Sequence, residues 1–255
     1  MKVKEIYAAL SKRIPSELSC EWDNDGLMVC PDPDREVKRV LIALDITEAV
    51  AQKAIDGGYD LILSHHPLIF RPLKALNFDS YVAKKAIRLL CAGVSAMSFH
   101  TRLDAVCGGV NDTLANALGL VDVTAFGENG EAIGRIGSLP STMPLAEFAA
   151  LVKQVTGAAS VTVADAGLPV SRVALLGGSG SDDVAAAKKS GADTYLSGEL
   201  GHHHLTDAPE NGMNLIAAGH FHTENPVCET LRDMLLAIDP TVRAEIVCSN
   251  TVYTL

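Results

Sequence analysis

Apolar residues recur at Val3, Ile6, Leu10 and Ile14 in the opening segment KVKEIYAALSKRIP, a spacing that predicts a helix over residues 3 to 13, interrupted by Pro15. The period then changes. VKRVLIALDIT and YDLILSHH are runs rich in branched residues, and the Ala-rich EAVAQKAIDGG between them closes on the glycine pair expected past a helix end. Together they predict a βαβ unit. A second stretch lies over the first without a gap: residues 40 to 66 and 173 to 199, each 27 residues long, match Val40 with Val173, Ala54 with Ala187, Gly58 with Gly191, Asp60 with Asp193, Leu63 with Leu196 and Ser64 with Ser197. Six identities are a modest sign of duplication. Their register sets Gly198 and Glu199 where the first unit has His65 and His66.

Between the units, GENGEAIGRIGSLPSTMPLAEFAALVKQVTG predicts a glycine-rich turn, a strand and a helix from about 144 to 155. No low-complexity linker separates the halves. The expectation is an α/β protein of two related lobes, 1–124 with the HHP motif and 125–255 with the GHFHTE motif, packed rather than tethered. Strand ends of both lobes would turn toward one cleft, where ligands bind in open α/β sheets.

Composition narrows the chemistry. The 255 residues are 48% hydrophobic and 20% charged, enough for one large core or two smaller ones. No apolar run reaches the roughly 18 residues of a membrane helix, and charges occupy the start where a signal peptide would be apolar. We therefore expect a cytoplasmic protein. The six cysteines show no C-x-x-C spacing, which suggests reduced, buried thiols. A formal net charge of −10, no basic cluster, and only one Trp, five Tyr and six Phe argue against a general nucleic-acid or membrane surface without excluding a local positive site, and the partner we expect is a small-molecule substrate.

All eight histidines fall in four places, each after a predicted strand or its turn: His65 and His66 in SHHP, His100 in SFHTRLD, His202 to His204 in GELGHHHLTDA, and His220 and His222 in GHFHTE. Carboxylates accompany them at Asp104, Glu199 and Glu224. Nitrogen and oxygen donors in this mixture suit zinc, manganese, iron or cobalt better than calcium or magnesium. Pro67 ends the strand, leaving both rings of His65 and His66 at its carboxyl end. An isolated His pair is as often one core and one solvent side chain; the company of the other clusters weighs against that reading here. His100 and Asp104 are four apart and share a face of any helical turn. Asp104 is the better ligand and His100 an orienting or proton-handling group, although a solvated cap explains the two alone equally well. His220 and Glu224 are also four apart, and spacing does not decide between His220 and His222. The triple histidine cannot all face one site on a helix, so it lines the cleft or lies partly exposed. LLGGSGSDD sits where a phosphate-cradling loop would, but it lacks the Walker lysine and the G-x-G-x-x-G spacing. A plain βα turn is the better account, with an anion site the lesser one.

EWDNDGLMV, LILSHHPLIF, FHTRLDAVCGGVNDTLA, GGSGSD, YLSGE and GHFHTE occur in this order over nearly the whole chain. In this the sequence resembles the Nif-three-like family, whose members are described as GTP cyclohydrolase 1 type 2 homologues or dinuclear metal-centre proteins. The resemblance implies two α/β lobes, a dinuclear metal site between them and a homohexamer. By motif it places two divalent ions per chain, zinc, iron or manganese, on His65, His66, Asp104, His220 and Glu224. Arg102 stands where the family often has asparagine, and we expect it to add a positive side chain near the site.

The function expected is metal-assisted hydrolysis, with a nucleotide such as GTP opened at the imidazole ring of its guanine. His100, one of His202 to His204, or Glu199 would move protons. The rival is a metal-binding regulatory or assembly protein without turnover, which accounts for the same ligands.

Overall fold

The computed structural model describes residues 1–127 and 132–253. The glycine-rich turn expected around 128–131 lies outside the described residues. In chain order the first elements are α1 (Val3–Arg13), β1 (Gly26–Val29), β2 (Arg39–Ala43), α2 (Glu48–Asp56), β3 (Leu61–Ser64), α3 (Tyr81–Ala92), β4 (Ser95–Ser98) and the short α4 (Thr101–Ala105). They are followed by α5 (Val110–Ala117), β5 (Val121–Phe126), β6 (Gly134–Met143), α6 (Leu145–Thr156), β7 (Thr162–Ala164) and β8 (Val170–Ser179). Then come α7 (Val184–Lys189), β9 (Thr194–Glu199), α8 (His202–Glu210), β10 (Asn214–Ala217) and the five-residue α9 (His220–Glu224). The last two are α10 (Val227–Ile238) and β11 (Arg243–Ile246).

The chain forms two compact units, one of Met1–Val106 with Val227–Val252 and one built on Cys107–Pro226. This corrects the division into 1–124 and 125–255. After Pro226 the chain returns to the first unit, where α10 packs against α1 and β11 pairs in parallel with β2. Helix α5 belongs to the second unit because it packs on β6 and β8. Sequence pattern reports which residues want burial, and it is silent on which sheet edge a late strand joins.

In the first unit the five-stranded sheet runs β1-β4-β3-β2-β11, with β1 antiparallel at one edge and the rest parallel. A parallel sheet is covered on both faces, so its strands read as unbroken apolar runs. All four residues of both β3 and β4 are buried. On one face Leu41, Ile62 and Ala96 pack with Val50, Ala54 and Leu89 of α2 and α3. The intervening strand positions are buried too, and α10 packs beside β2. Thr47 and Ser80 cap α2 and α3 by accepting from the N–H groups of Val50 and Ala83.

The second unit's six-stranded sheet runs β5-β6-β8-β9-β10-β7. Val173, Leu175, Leu196 and Ile216 meet Phe148 and Val152 of α6 on one face, and Ala174, Leu176, Tyr195 and Leu215 meet Ala186, Ala187 and Ala208 of α7 and α8 on the other.

The two units share one plan. Each has a helix, an edge strand antiparallel to the third strand of a βαβαβ run, and a five-residue helix after that third strand. The register agrees residue by residue. Val40 pairs with Leu61 through to Ala43 with Ser64, and Val173 pairs with Thr194 through to Leu176 with Ser197. Asp60 accepts from the backbone N–H groups of Lys38 and Arg39, and Asp193 accepts from those of Ser171 and Arg172. The gapless alignment therefore marks equivalent positions, and the likeness extends past it to the third strand and the short helix.

Candidate metal centre

β3 stops at Ser64, so His65 and His66 occupy the turn after the strand and escape the alternation that would send them to opposite faces. The turn is held by His66 N–H donating to the Leu44 carbonyl (2.9 Å) and by Ser64 Oγ donating to the His66 carbonyl (2.8 Å). The two rings stand with centroids 4.8 Å apart, and that of His100 is 5.3 Å and 5.6 Å from them. One ligand atom from each of the three histidines lies within 4.8 Å of the others.

Each of these rings is oriented through Nδ1. His65 Nδ1 donates to the Phe99 carbonyl (2.9 Å), His66 Nδ1 to Asp45 Oδ1 (2.7 Å) and His100 Nδ1 to Asp23 Oδ1 (2.8 Å). A carbonyl has only lone pairs to offer, so the proton of neutral His65 sits on Nδ1 and Nε2 carries the electron pair. That Nε2 faces Asp104 Oδ1 at 3.6 Å, beyond hydrogen-bonding distance, with His65 fully buried. Two Lewis-basic atoms set side by side out of water suit a cation between them. The arrangement of imidazole toward the ion and oxygen acceptor behind it is the usual one for metal-binding histidine. The residues of the first unit therefore fit a metal ion.

Asp104 is carried by α4, whose start is fixed from behind. Asp25 Oδ2 accepts from the His100 N–H (2.9 Å) and from Arg102 Nε (2.8 Å), and Asp23 Oδ2 accepts from the Thr101 N–H (3.1 Å) and hydroxyl (2.7 Å). Burial pushes the Asp23 carboxyl up, but the hydrogen bonds from His100 and Thr101 outweigh it and hold the group well below the usual carboxylate range. Arg102 is not at the site. It is 1% exposed, pairs with Asp25, donates to the Ile14 carbonyl (3.2 Å) and lies over the Phe99 ring at 4.5 Å. Residues 102 and 104 leave a one-turn helix in different directions, and only the aspartate's direction meets His65.

In the second unit α9 brings His220 and Glu224 together, with Nε2 of the first 3.2 Å from Oε2 of the second. Glu224 is 4% exposed. Glu199 Oε2 lies 3.4 Å from His220 Nδ1, so this exposed side chain stands behind an imidazole as Asp45 stands behind His66. Close approach of α9 to the strand ends requires glycine. A Cβ on Gly178, whose φ is +68°, would overlap Glu224 Oε1, and one on Gly198 would meet the Gly178 carbonyl at 2.5 Å and His220 Cα at 2.8 Å. Thr223 completes the joint, its hydroxyl accepting from the Gly178 N–H (3.0 Å). The glycines of GGSGSD thus serve packing. The Gly180 carbonyl accepts from the Tyr195 hydroxyl (2.9 Å).

His202, His203 and His204 begin α8, the first two exposed and the rings of the last two 3.9 Å apart. His222 is half-buried and stands edge-on to Phe221. Asp23 and Asp45, which orient His100 and His66, were missed from spacing and composition. Asp45 carries the available signal, a carboxylate two residues past the end of a buried parallel strand, where site residues concentrate in α/β folds.

Comparison with known proteins agrees over the full length. The sequence profile of Duf34/NIF3 (NGG1p interacting factor 3) matches residues 1–253. A Clostridium perfringens protein named GTP cyclohydrolase 1 type 2 homolog is 35% identical over 233 residues, covering 89% of this chain and 88% of its own. The Schizosaccharomyces pombe Protein NIF3 homolog is 34% identical over 243 residues, covering 88% and 86%. Among solved structures, a Bacillus cereus protein related to NIF3 superposes with a TM-score of 0.90 at 24% identity, covering 100% of this chain and 99% of that one. Reduced HcgD from Methanocaldococcus jannaschii gives 0.84 at 29% identity, covering 96% and 97%.

Proposed function

The chain belongs to the Duf34/NIF3 family, and from that premise we propose that it is a hydrolase working with two divalent metal ions on a purine nucleotide such as GTP. The observation that carries the reading is the locked tautomer of His65, a fully buried residue whose Nε2 is turned to the partly buried Asp104 carboxylate. In this reading His65, His66 and Asp104 of the first unit and His220 and Glu224 of the second hold the ions. When bound, such a pair of ions lowers the pKa of water toward neutrality and polarises the substrate.

The remaining work falls to side chains. Asp45 and Glu199 fix the rings of His66 and His220. His100, anchored by Asp23, presents Nε2 beside the ligand histidines and would take a proton as water adds to the imidazole carbon of the guanine. It would return that proton to the departing ring nitrogen when the carbon–nitrogen bond breaks. Glu199, more exposed, is the second group able to exchange protons with solvent.

The test has two parts. Protein purified without chelator should hold two ions per chain, and Glu224→Gln should lose most of its metal while His222→Asn keeps it. The loaded protein should then open the guanine ring of GTP, seen as loss of purine absorbance. One ion or none in fully loaded protein, or greater loss from the His222 variant, overturns the ligand assignment. Full metal without turnover of any purine nucleotide overturns the hydrolase.

A further inference from the structure

Trp22 is 58% exposed and Phe70 42% exposed, although both are among the largest apolar side chains of the first unit. They meet edge-on with centroids 6.1 Å apart, and each also meets His100 edge-on, at 6.2 Å and 6.0 Å. The loop that carries Trp22 is fixed on both sides. Cys20 N–H donates to Thr101 Oγ1 (3.0 Å), Asp23 is held by His100 and Thr101, Asn24 donates to the Ile69 carbonyl beside Phe70, and Asp25 accepts from His100 and Arg102. The backbone around Trp22 is thus pinned while its indole stays in water. A rigid exposed aromatic beside a polar site is suited to receive a flat apolar ring.

The charge around Phe70 selects among flat rings. The chain carries a net −10, yet the stretch after Phe70 has exposed Arg71 and Lys74 and no carboxylate before Asp79. A neutral aromatic would gain nothing from these cations, whereas a phosphorylated one would.

We propose that Trp22 and Phe70 form the stacking platform for the purine ring of a nucleotide, holding its edge toward His100 with its phosphates toward Arg71 and Lys74. The proposal rests on the hydrolase reading for the site it adjoins but concerns binding, which can be measured without turnover. Base stacking on an aromatic side chain makes roughly a ten- to hundred-fold difference in affinity.

Trp22 is the chain's one tryptophan, so its fluorescence reports on this position alone. GTP should quench it saturably in the metal-loaded protein, and inorganic tripolyphosphate, which has no ring, should not. By calorimetry Trp22→Ala should bind GTP about ten- to hundred-fold more weakly, with Phe70→Ala weaker by a smaller factor and Trp22→Phe close to the parent. Metal content and circular dichroism of all three should match the parent, because the altered side chains are exposed. Absence of saturable quenching, equal quenching by tripolyphosphate, or GTP affinity of Trp22→Ala within two-fold of the parent overturns the platform. Quenching and Trp22-dependent affinity without ring opening would uphold the platform and remove the hydrolase. Ring opening with an unchanged KM in Trp22→Ala would do the reverse.

Discussion

Replacing Gly178 by alanine tests whether the second unit's carboxylate is placed by backbone proximity. Two effects are separable in the structure. Gly178 has a φ of +68°, and a side chain in that left-handed region costs roughly 1–2 kcal/mol. The new methyl would also overlap Glu224 Oε1 and stand 3.1 Å from both Glu224 Cδ and His220 Nε2. Opening that overlap to an ordinary contact of about 3.5 Å moves the carboxylate by on the order of 1 Å. Displacement of this size from a ligand position should weaken metal binding at least as much as loss of an orienting group does, about 10- to 100-fold.

Gly157 supplies the control. It has nearly the same φ, +70°, and a Cβ there meets nothing within 4 Å. Gly157→Ala therefore carries the backbone strain without the clash, and at roughly 2–4 °C per kcal/mol for a chain of this size both variants should unfold about 2–8 °C below the parent. Only Gly178→Ala should also lose metal. Calorimetric melting with elemental analysis after dialysis against a fixed metal concentration reads both quantities. If Gly178→Ala retains metal like the parent and melts with Gly157→Ala, the glycine is needed only for its φ, and the close approach to Glu224 has no bearing on the centre.

Two further predictions concern the first unit. Asp25→Asn leaves the 1% exposed Arg102 guanidinium without its carboxylate, and breaking a buried pair this way typically costs 3–5 kcal/mol. Denaturant midpoints should show it, with the double variant Asp25→Leu, Arg102→Met clearly less unstable than the sum of the single changes; additivity would mean that the two side chains do not interact. At Asp60 burial raises the carboxyl pKa, but the N–H groups of Lys38 and Arg39 and the Arg35 guanidinium outweigh it and hold the group below its ordinary value. A carboxyl depressed on folding stabilises fully above its unfolded value near 4 and loses that contribution as pH falls through the folded value. Asp60→Asn should thus be destabilised most at neutral pH and approach the parent in acid, and a gap that widens on acidification would contradict the assignment.

Much of the arrangement is legible along the chain because parallel strands buried on both faces leave continuous apolar runs. Residues that break such a run at its end stand out, as His65, His66 and the GHFHTE segment do. The orienting aspartates do not stand out. Asp23 is one of three carboxylates in EWDND and Asp45 a lone one between Leu44 and Ile46, and only the folded backbone brings each to an imidazole. The place of Arg102 is hidden for a related reason: a spacing of two on a five-residue helix says that two side chains diverge and leaves open which one enters the core. The return of the chain after Pro226 is a matter of tertiary pairing, and nothing in the alternation of RAEI names β2 as its neighbour.

The shared register also explains why the two units present different donors. In the gapless alignment His65 falls on Gly198, His66 on Glu199 and Asp45 on Gly178, just past the shared pairing that ends at Ala43–Ser64 and Leu176–Ser197. In the first unit α4 leaves room at the end of β3 for two imidazoles, with Asp45 behind one of them. In the second unit α9 lies so close to the strand ends that a Cβ at 198 would come within 2.8 Å of His220 Cα, and one at 178 would overlap Glu224. Histidine at 198 and aspartate at 178 are therefore excluded by the packing that seats Glu224. The imidazole has to come from the helix itself, as His220, and its orienting carboxylate from Glu199 at the place His66 occupies in the other half. Each unit ends with a carboxylate from its short helix beside an imidazole, reached by opposite assignments of the same positions.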